Sequence, residues 1–132
     1  MDGKGLPLAF VLAPGQSHEL IFAEEALNNV CVHTRKPGPP LRRPHALAGD
    51  KGYSAGWLRE WMKAKNIEDV VPTKSNEKRN ERFDKEKYKR RNVVERSIGW
   101  LKESRRIATR YDKLALSFSC MLCLAQIATY LR

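Results

Sequence analysis

Two acidic residues stand where a chain could use them for chemistry. Asp50 lies in Gly49-Asp50-Lys51-Gly52-Tyr53, directly after the short apolar run 45–49. Catalytic groups of open α/β sheets gather beyond the carboxyl ends of strands. A carboxylate delivered there can hold a hard cation such as Mg2+. An Asp after a strand also serves as a turn or helix-cap residue, and that is its commoner use. Glu95 lies in Arg91-Asn92-Val93-Val94-Glu95-Arg96. Counted from Tyr88, Arg91 is three residues on, Glu95 seven and Lys102 fourteen. In one continuous helix these offsets put all four side chains on one stripe. That stripe offers a carboxylate for a cation, a guanidinium and an ammonium for phosphate, and an aromatic beside them. The plain alternative is a solvated face with an Arg91–Glu95 pair at i,i+4.

The elements that must position these residues follow from the apolar pattern. Residues 6–13 (LPLAFVLA), after the turn Asp2-Gly3-Lys4-Gly5, predict a strand leaving a hairpin. Ser17 predicts the cap of a helix running to about Asn28. Residues 35–44 form a Pro-rich loop, and residues 45–49 a short strand that ends at Asp50. Ser54 predicts the cap of a helix over 55–65, with Trp57, Leu58 and Trp61 on one face and Asn66 as its stop. Residues 67–71 predict another strand. The apolar pattern then disappears from 73 to 91, a basic insert with nine basic and four acidic residues. A long helix is expected from about Tyr88 to the C-terminus, with a break near Tyr111, and Val94, Ile98 and Leu101 facing the core. Strand, helix, strand, helix, strand, basic insert, helix is the order of an α/β domain.

The chain of 132 residues, 42% of them apolar, is long enough for one small domain with a core and is not a disordered tail. Its net charge of +10 is uneven: residues 1–66 hold nine Lys/Arg against six Asp/Glu, and residues 67–132 sixteen against nine. A basic half points to a polyanionic partner, and nucleic acid is the usual one. Three cysteines, an odd count, and a start with no apolar export core predict a reducing compartment. Cys120-x2-Cys123 has metal-binding spacing but lacks a second ligand pair, and it reads as small core residues. His18, His33 and His45 show no nucleophile or zinc spacing; Trp57 and Trp61 are expected in the core. Residues 114–131 approach membrane-spanning length. Ser117, Ser119, Gln126 and Thr129 interrupt them, so they read as a buried core helix.

The spacing Tyr88-x2-Arg91-x3-Glu95-x6-Lys102 resembles the signature around the last carboxylate of DDE transposases in a large group of bacterial insertion sequences. Asp50-Lys51-Gly52-Tyr53 resembles that group's motif at the second catalytic Asp. Residues 6–18 (LPLAFVLAPGQSH) and 105–114 (RRIATRYDKL) add two further matching stretches. The resemblance covers nearly the whole chain in consistent order.

The resemblance implies an incomplete ribonuclease-H-like fold that lacks its first strands, with 1–132 as the C-terminal part of the catalytic domain. It implies Mg2+-dependent strand cleavage and strand transfer at insertion-sequence ends by a two-metal site. Asp50 and Glu95 would be catalytic and metal-binding, and Tyr88, Arg91 and Lys102 would meet DNA. Lys78, Arg79, Arg82, Lys89 and Arg90, in the region resembling the DNA-contacting segment before the catalytic Glu, are further candidates for phosphate contact. Contacts of that kind give salt-dependent, weakly sequence-specific binding; a flexible charged loop is the alternative. No position matches the first catalytic Asp, since Asp2 sits in the hairpin turn. The expected partners are therefore DNA, an upstream transposase portion or frameshift partner, and a second copy through an exposed sheet edge. The expected setting is the bacterial cytoplasm and nucleoid, with no membrane. Activity of the chain alone is not expected. A non-enzymatic DNA-binding relic or regulator of transposition is the competing reading.

Overall fold

The computed structural model describes every residue except Arg79, Arg82 and Arg132. It divides into a central unit, Ala13–Arg91, and a terminal unit, Met1–Leu12 with Asn92–Arg132.

In the central unit, Ala46–Ala48 (β1) and Glu68–Val70 (β2) pair in parallel, with Ala46 opposite Glu68 and Ala48 opposite Val70. Parallel neighbours need a crossover, and Gly56–Ala64 (α2) supplies it. Leu58 and Met62, four residues apart, are the buried face of α2 and pack with Ala23 and Ile67. Asn66 ends the helix as expected. It takes a positive φ of 52°, and its N–H donates to the Lys63 carbonyl while that of Ile67 reaches back to Met62 at 2.9 Å. This doubled bond is a Schellman ending, and it folds Ile67 onto Met62 in the core.

Trp57 departs from expectation. It stands next to Leu58 but turns outward and is 43% exposed. Trp61 is half-buried, and its indole N–H donates to Glu24 at 3.1 Å. The apolar face of α2 is thus centred on Leu58 and Met62. The first helix begins later than predicted. A 3-10 turn spans Glu19–Phe22, with the His18 ring accepting from the Leu20 N–H, before Ala23–Asn28 (α1).

The long helix predicted from Tyr88 is several helices. Asp84 caps Lys85–Lys89 (α3) by accepting from the backbone of Glu86 and Lys87 at 2.9 and 3.0 Å. The chain then turns at residues 90–91 and restarts as Asn92–Glu103 (α4), Arg105–Ala108 (α5) and Ala115–Tyr130 (α6). Asn92, a weak helix former, stands at the restart.

In the terminal unit the Asp2 turn forms, with the Asp2 carboxylate accepting from the N–H groups of Lys4 and Leu6 at 2.9 Å each. Residues 6–13 make no strand ladder among the described residues. They are held by packing instead. Gly5, at φ 89°, lies so close to Ser97 that a Cβ would collide with its hydroxyl and press on Val93, and Tyr130 donates to the Pro7 carbonyl at 2.6 Å. Ser97 is the buried residue of α4, while Ile98 is 40% exposed. The face of α4 that packs is therefore rotated from the one expected at Ile98. Helix α6 lies against α4 and α5 but buries none of its side chains fully, and Cys120 and Cys123 are exposed. A helix apolar on every side needs neighbours all round to be buried, and this unit supplies α4 and α5. Among the described residues no helix is long and apolar enough to cross a membrane.

Candidate carboxylate sites and nucleic-acid interface

Asp50 follows β1 at the carboxyl end of the parallel pair. Its backbone is extended, and its Oδ1 accepts from the Gly52 N–H at 2.8 Å, capping the 3-10 turn Lys51–Tyr53. A Cβ at Gly52 would stand 2.9 Å from Oδ1 and press on the cap bond. The cap and the ligand readings are therefore compatible. One oxygen closes the turn, and Oδ2 carries no hydrogen bond among the described residues. Asp50 is exposed. Tyr53 anchors the same turn by donating to Glu19 at 3.3 Å. Burial, with the Glu19 charge and hydrogen bond behind it, holds the Tyr53 phenol above its usual pKa. The link joins the DKGY sequence to the residue that follows PGQSH.

Glu95 lies in the first turn of α4, exposed, with Lys102 in the last. Asp50 belongs to the central unit and Glu95 to the terminal one. The stripe expected over Tyr88, Arg91, Glu95 and Lys102 is interrupted by the turn at 90–91. Glu95 and Lys102, seven apart on α4, still share a face. Tyr88 belongs to α3, where its ring centroid stands 5.3 Å from that of Phe83 and 5.8 Å from the Arg91 guanidinium. These ring contacts close the end of the basic insert.

The insert carries its charge outward. Lys78, Lys89 and Arg90 are exposed; Arg79 and Arg82 lie outside the described residues. Lys89 pairs with Glu86 at 2.7 Å, but both side chains are more than two-thirds exposed. A pair so open is weak and yields readily to a phosphate. Lys87 is committed elsewhere: it bonds both Glu68 oxygens at 2.6 and 2.7 Å, and that contact raises its pKa.

Sequence reasoning missed a network beneath this insert. Ser54, predicted as a helix cap, makes no cap bond; Ala55 takes the cap position of α2. The Ser54 hydroxyl donates to Glu77 and accepts from Arg59 Nη2 at 2.9 Å. Arg59 also pairs with Asp69 and donates to the Val71 carbonyl at 3.3 Å. Asp69 in turn accepts from the Val71 N–H at 2.9 Å and from the Asn80 amide at 3.3 Å. An arginine within a helix and an acid on a strand read as surface residues; only their pairing across the crossover reveals the network.

Among the described residues no group of three His, Cys, Asp or Glu side chains could hold a metal ion. The described residues do not by themselves complete a cation site.

Comparison with known proteins gives a consistent picture. Residues 1–131 match the family described as the transposase DDE domain. A protein of Burkholderia cepacia, named as a transposase for insertion sequence element IS402, is 28% identical over 114 residues. The match covers 86% of this chain and 52% of that protein, so the chain spans about half the length of the curated relative it matches. No solved structure matches.

Proposed function

The chain belongs to the transposase DDE-domain family, and from that premise we propose that it is the C-terminal part of a catalytic domain that cleaves and joins DNA at insertion-sequence ends. The observation that carries this reading is Asp50: a carboxylate at the carboxyl end of a parallel strand, with one oxygen fixing its turn and the other unengaged. Glu95 is the second carboxylate. The fold on this reading is ribonuclease-H-like, and the remaining part of the transposase supplies the strands that precede residues 1–132. A divalent cation, Mg2+ on this reading, would be held by Asp50, Glu95 and a third carboxylate from that other part. Bound there, it would supply charge neutralisation for in-line displacement at phosphorus.

The roles of the chain's own residues are binding and placement. Lys78, Arg79, Arg82, Lys89, Arg90, Arg91 and Lys102 contact backbone phosphate, and Tyr88 sets the end of the basic insert. Arg91 and Tyr88 act together, because the ring holds the guanidinium by cation–π contact. DNA as substrate places the protein with the bacterial chromosome in the cytoplasm.

The competing reading is a non-enzymatic product that occupies transposon ends and regulates transposition. One experiment separates the two. The chain is joined in frame to the preceding part of the transposase, and strand cleavage of an insertion-sequence end is measured with Mg2+. Cleavage by the joined protein that Asp50→Asn and Glu95→Gln each abolish supports the enzyme. Equal cleavage by the parent and both variants removes Asp50 and Glu95 from the site. DNA binding with no cleavage in any form establishes the regulator.

A further inference from the structure

Beside the Ser54–Arg59–Asp69–Glu77 network, the central unit has a cleft of about 450 Å³. Its wall includes Arg59, Lys63, Asp69, Thr73, Lys78 and Asn80. The charges do not cancel. Arg59 is paired with Asp69, and Glu68, also on the wall, is taken by Lys87. Lys63 and Lys78 remain, both exposed and with no ion-pair partner among the described residues. Two ammonium groups beside the Thr73 hydroxyl form a donor set for an anion with several oxygens.

Lys63 and Lys78 come from different elements, α2 and the irregular insert. The insert reaches the cleft because it is tied down on both sides of Lys78. Before it, Glu77 accepts from the Ser54 hydroxyl and from the Lys74 N–H at 3.2 Å. After it, the Asn80 amide donates to Asp69. Both ties end on Arg59, which bonds Ser54 and Asp69.

We infer that this cleft takes one phosphate of a nucleic-acid backbone between Lys63 and Lys78, and that Glu77 is the positioning residue that brings Lys78 to it. The inference rests on the reading of residues 73–91 as DNA-contacting, and it adds Lys63, on a different element, to that surface.

The test uses the whole chain and a duplex oligonucleotide of arbitrary sequence, with affinity followed across a salt titration. Lys63→Met lowers affinity several-fold and reduces the salt slope by about one, the signature of one lost phosphate contact. Glu77→Ala separates positioning from charge. Removing an anion would by charge alone tighten DNA binding, whereas loss of the tie weakens it several-fold, and Lys78→Met then adds little to Glu77→Ala. Thermal unfolding shows that each variant is folded. Unchanged binding by Lys63→Met, or tighter binding by Glu77→Ala, overturns the inference. If Lys63→Met is silent while Lys89→Met and Arg90→Met weaken binding, the cleft fails and the wider DNA-contact reading stands. If the parent chain binds no duplex, the wider reading fails and takes the cleft with it. Inorganic phosphate is the comparison ligand. It should weaken duplex binding no more than chloride of equal ionic strength; selective competition would give the cleft to a free anion instead.

Discussion

Ser54 and Glu77, 23 residues apart, are joined by a hydrogen bond from hydroxyl to carboxylate, and Arg59 donates to the same hydroxyl at 2.9 Å. Ser54 is 2% exposed. A buried hydroxyl is tolerated only with its bonds made, so this one ties the basic insert to the start of α2. The Ser54 hydrogen bond, ahead of smaller effects, lowers the Glu77 pKa.

Ser54→Ala removes that hydroxyl and leaves Arg59 Nη2 with the Val71 carbonyl. Breaking a bond to charged partners in a buried place costs about 1–3 kcal/mol. The expected result is a lower denaturation midpoint and faster amide exchange at residues 74–77. A variant as stable as the parent would show that the network does not hold the insert.

Gly5→Ala tests the terminal unit. The new Cβ would meet Ser97 Oγ and Val93 Cγ1, and φ 89° is costly for any residue with a Cβ. The strain alone is worth about 1 kcal/mol, and the collision adds to it. Gly5→Ala combined with Ser97→Ala should recover part of the loss in denaturant unfolding, because it relieves the collision and leaves the φ strain.

Leu58→Ala and Trp57→Ala are neighbours with unequal outcomes. Leu58 is fully buried, and truncation there costs about 2–5 kcal/mol. Trp57, 43% exposed, loses less buried apolar area when truncated and should cost clearly less than Leu58. Equilibrium unfolding of the pair decides whether the α2 face is centred on Leu58 and Met62.

Acid should loosen the insert before the core. Hydrogen bonds from the Lys87 and Glu86 backbone hold Asp84 below its ordinary value of 3.8, and the Ser54 bond holds Glu77 below 4.5. A lowered folded pKa means the folded state binds fewer protons, so the stability is complete above the ordinary value and lost as pH falls through the lowered one. Amide exchange at residues 74–89 should therefore rise below those values while Leu58 and Met62 stay protected. Lys87 works in the other sense. Its raised pKa gives stability present below its ordinary value of 10.5 and lost as pH rises through the raised one. Asp84→Asn keeps an acceptor for the cap and should flatten the acid response of α3.

Much of the local structure was legible in the sequence. The strand before Asp50, the helix after it, the stop at Asn66 and the turn at Asp2 all rest on short-range signals: a brief apolar run, a left-handed residue, a side chain that reaches its own backbone. The long helix from Tyr88 was misread because the spacing of Tyr88, Arg91, Glu95 and Lys102 continues across residues 90–91 while the helix does not. The face of α4 was misread because glycine leaves no mark in a hydrophobic pattern: Gly5 selects Ser97 for burial by its close approach.

The sequence by itself determined the family and the two carboxylates worth testing, since spacing around Glu95 and the DKGY context of Asp50 are properties of the chain order. It determined the charge of residues 73–91 for the same reason. Tertiary structure alone decided what those residues meet. It withdrew Lys87 onto Glu68 and bound Glu77 to Ser54. Each of these joins residues far apart in sequence, where only the folded path of the backbone sets the distance.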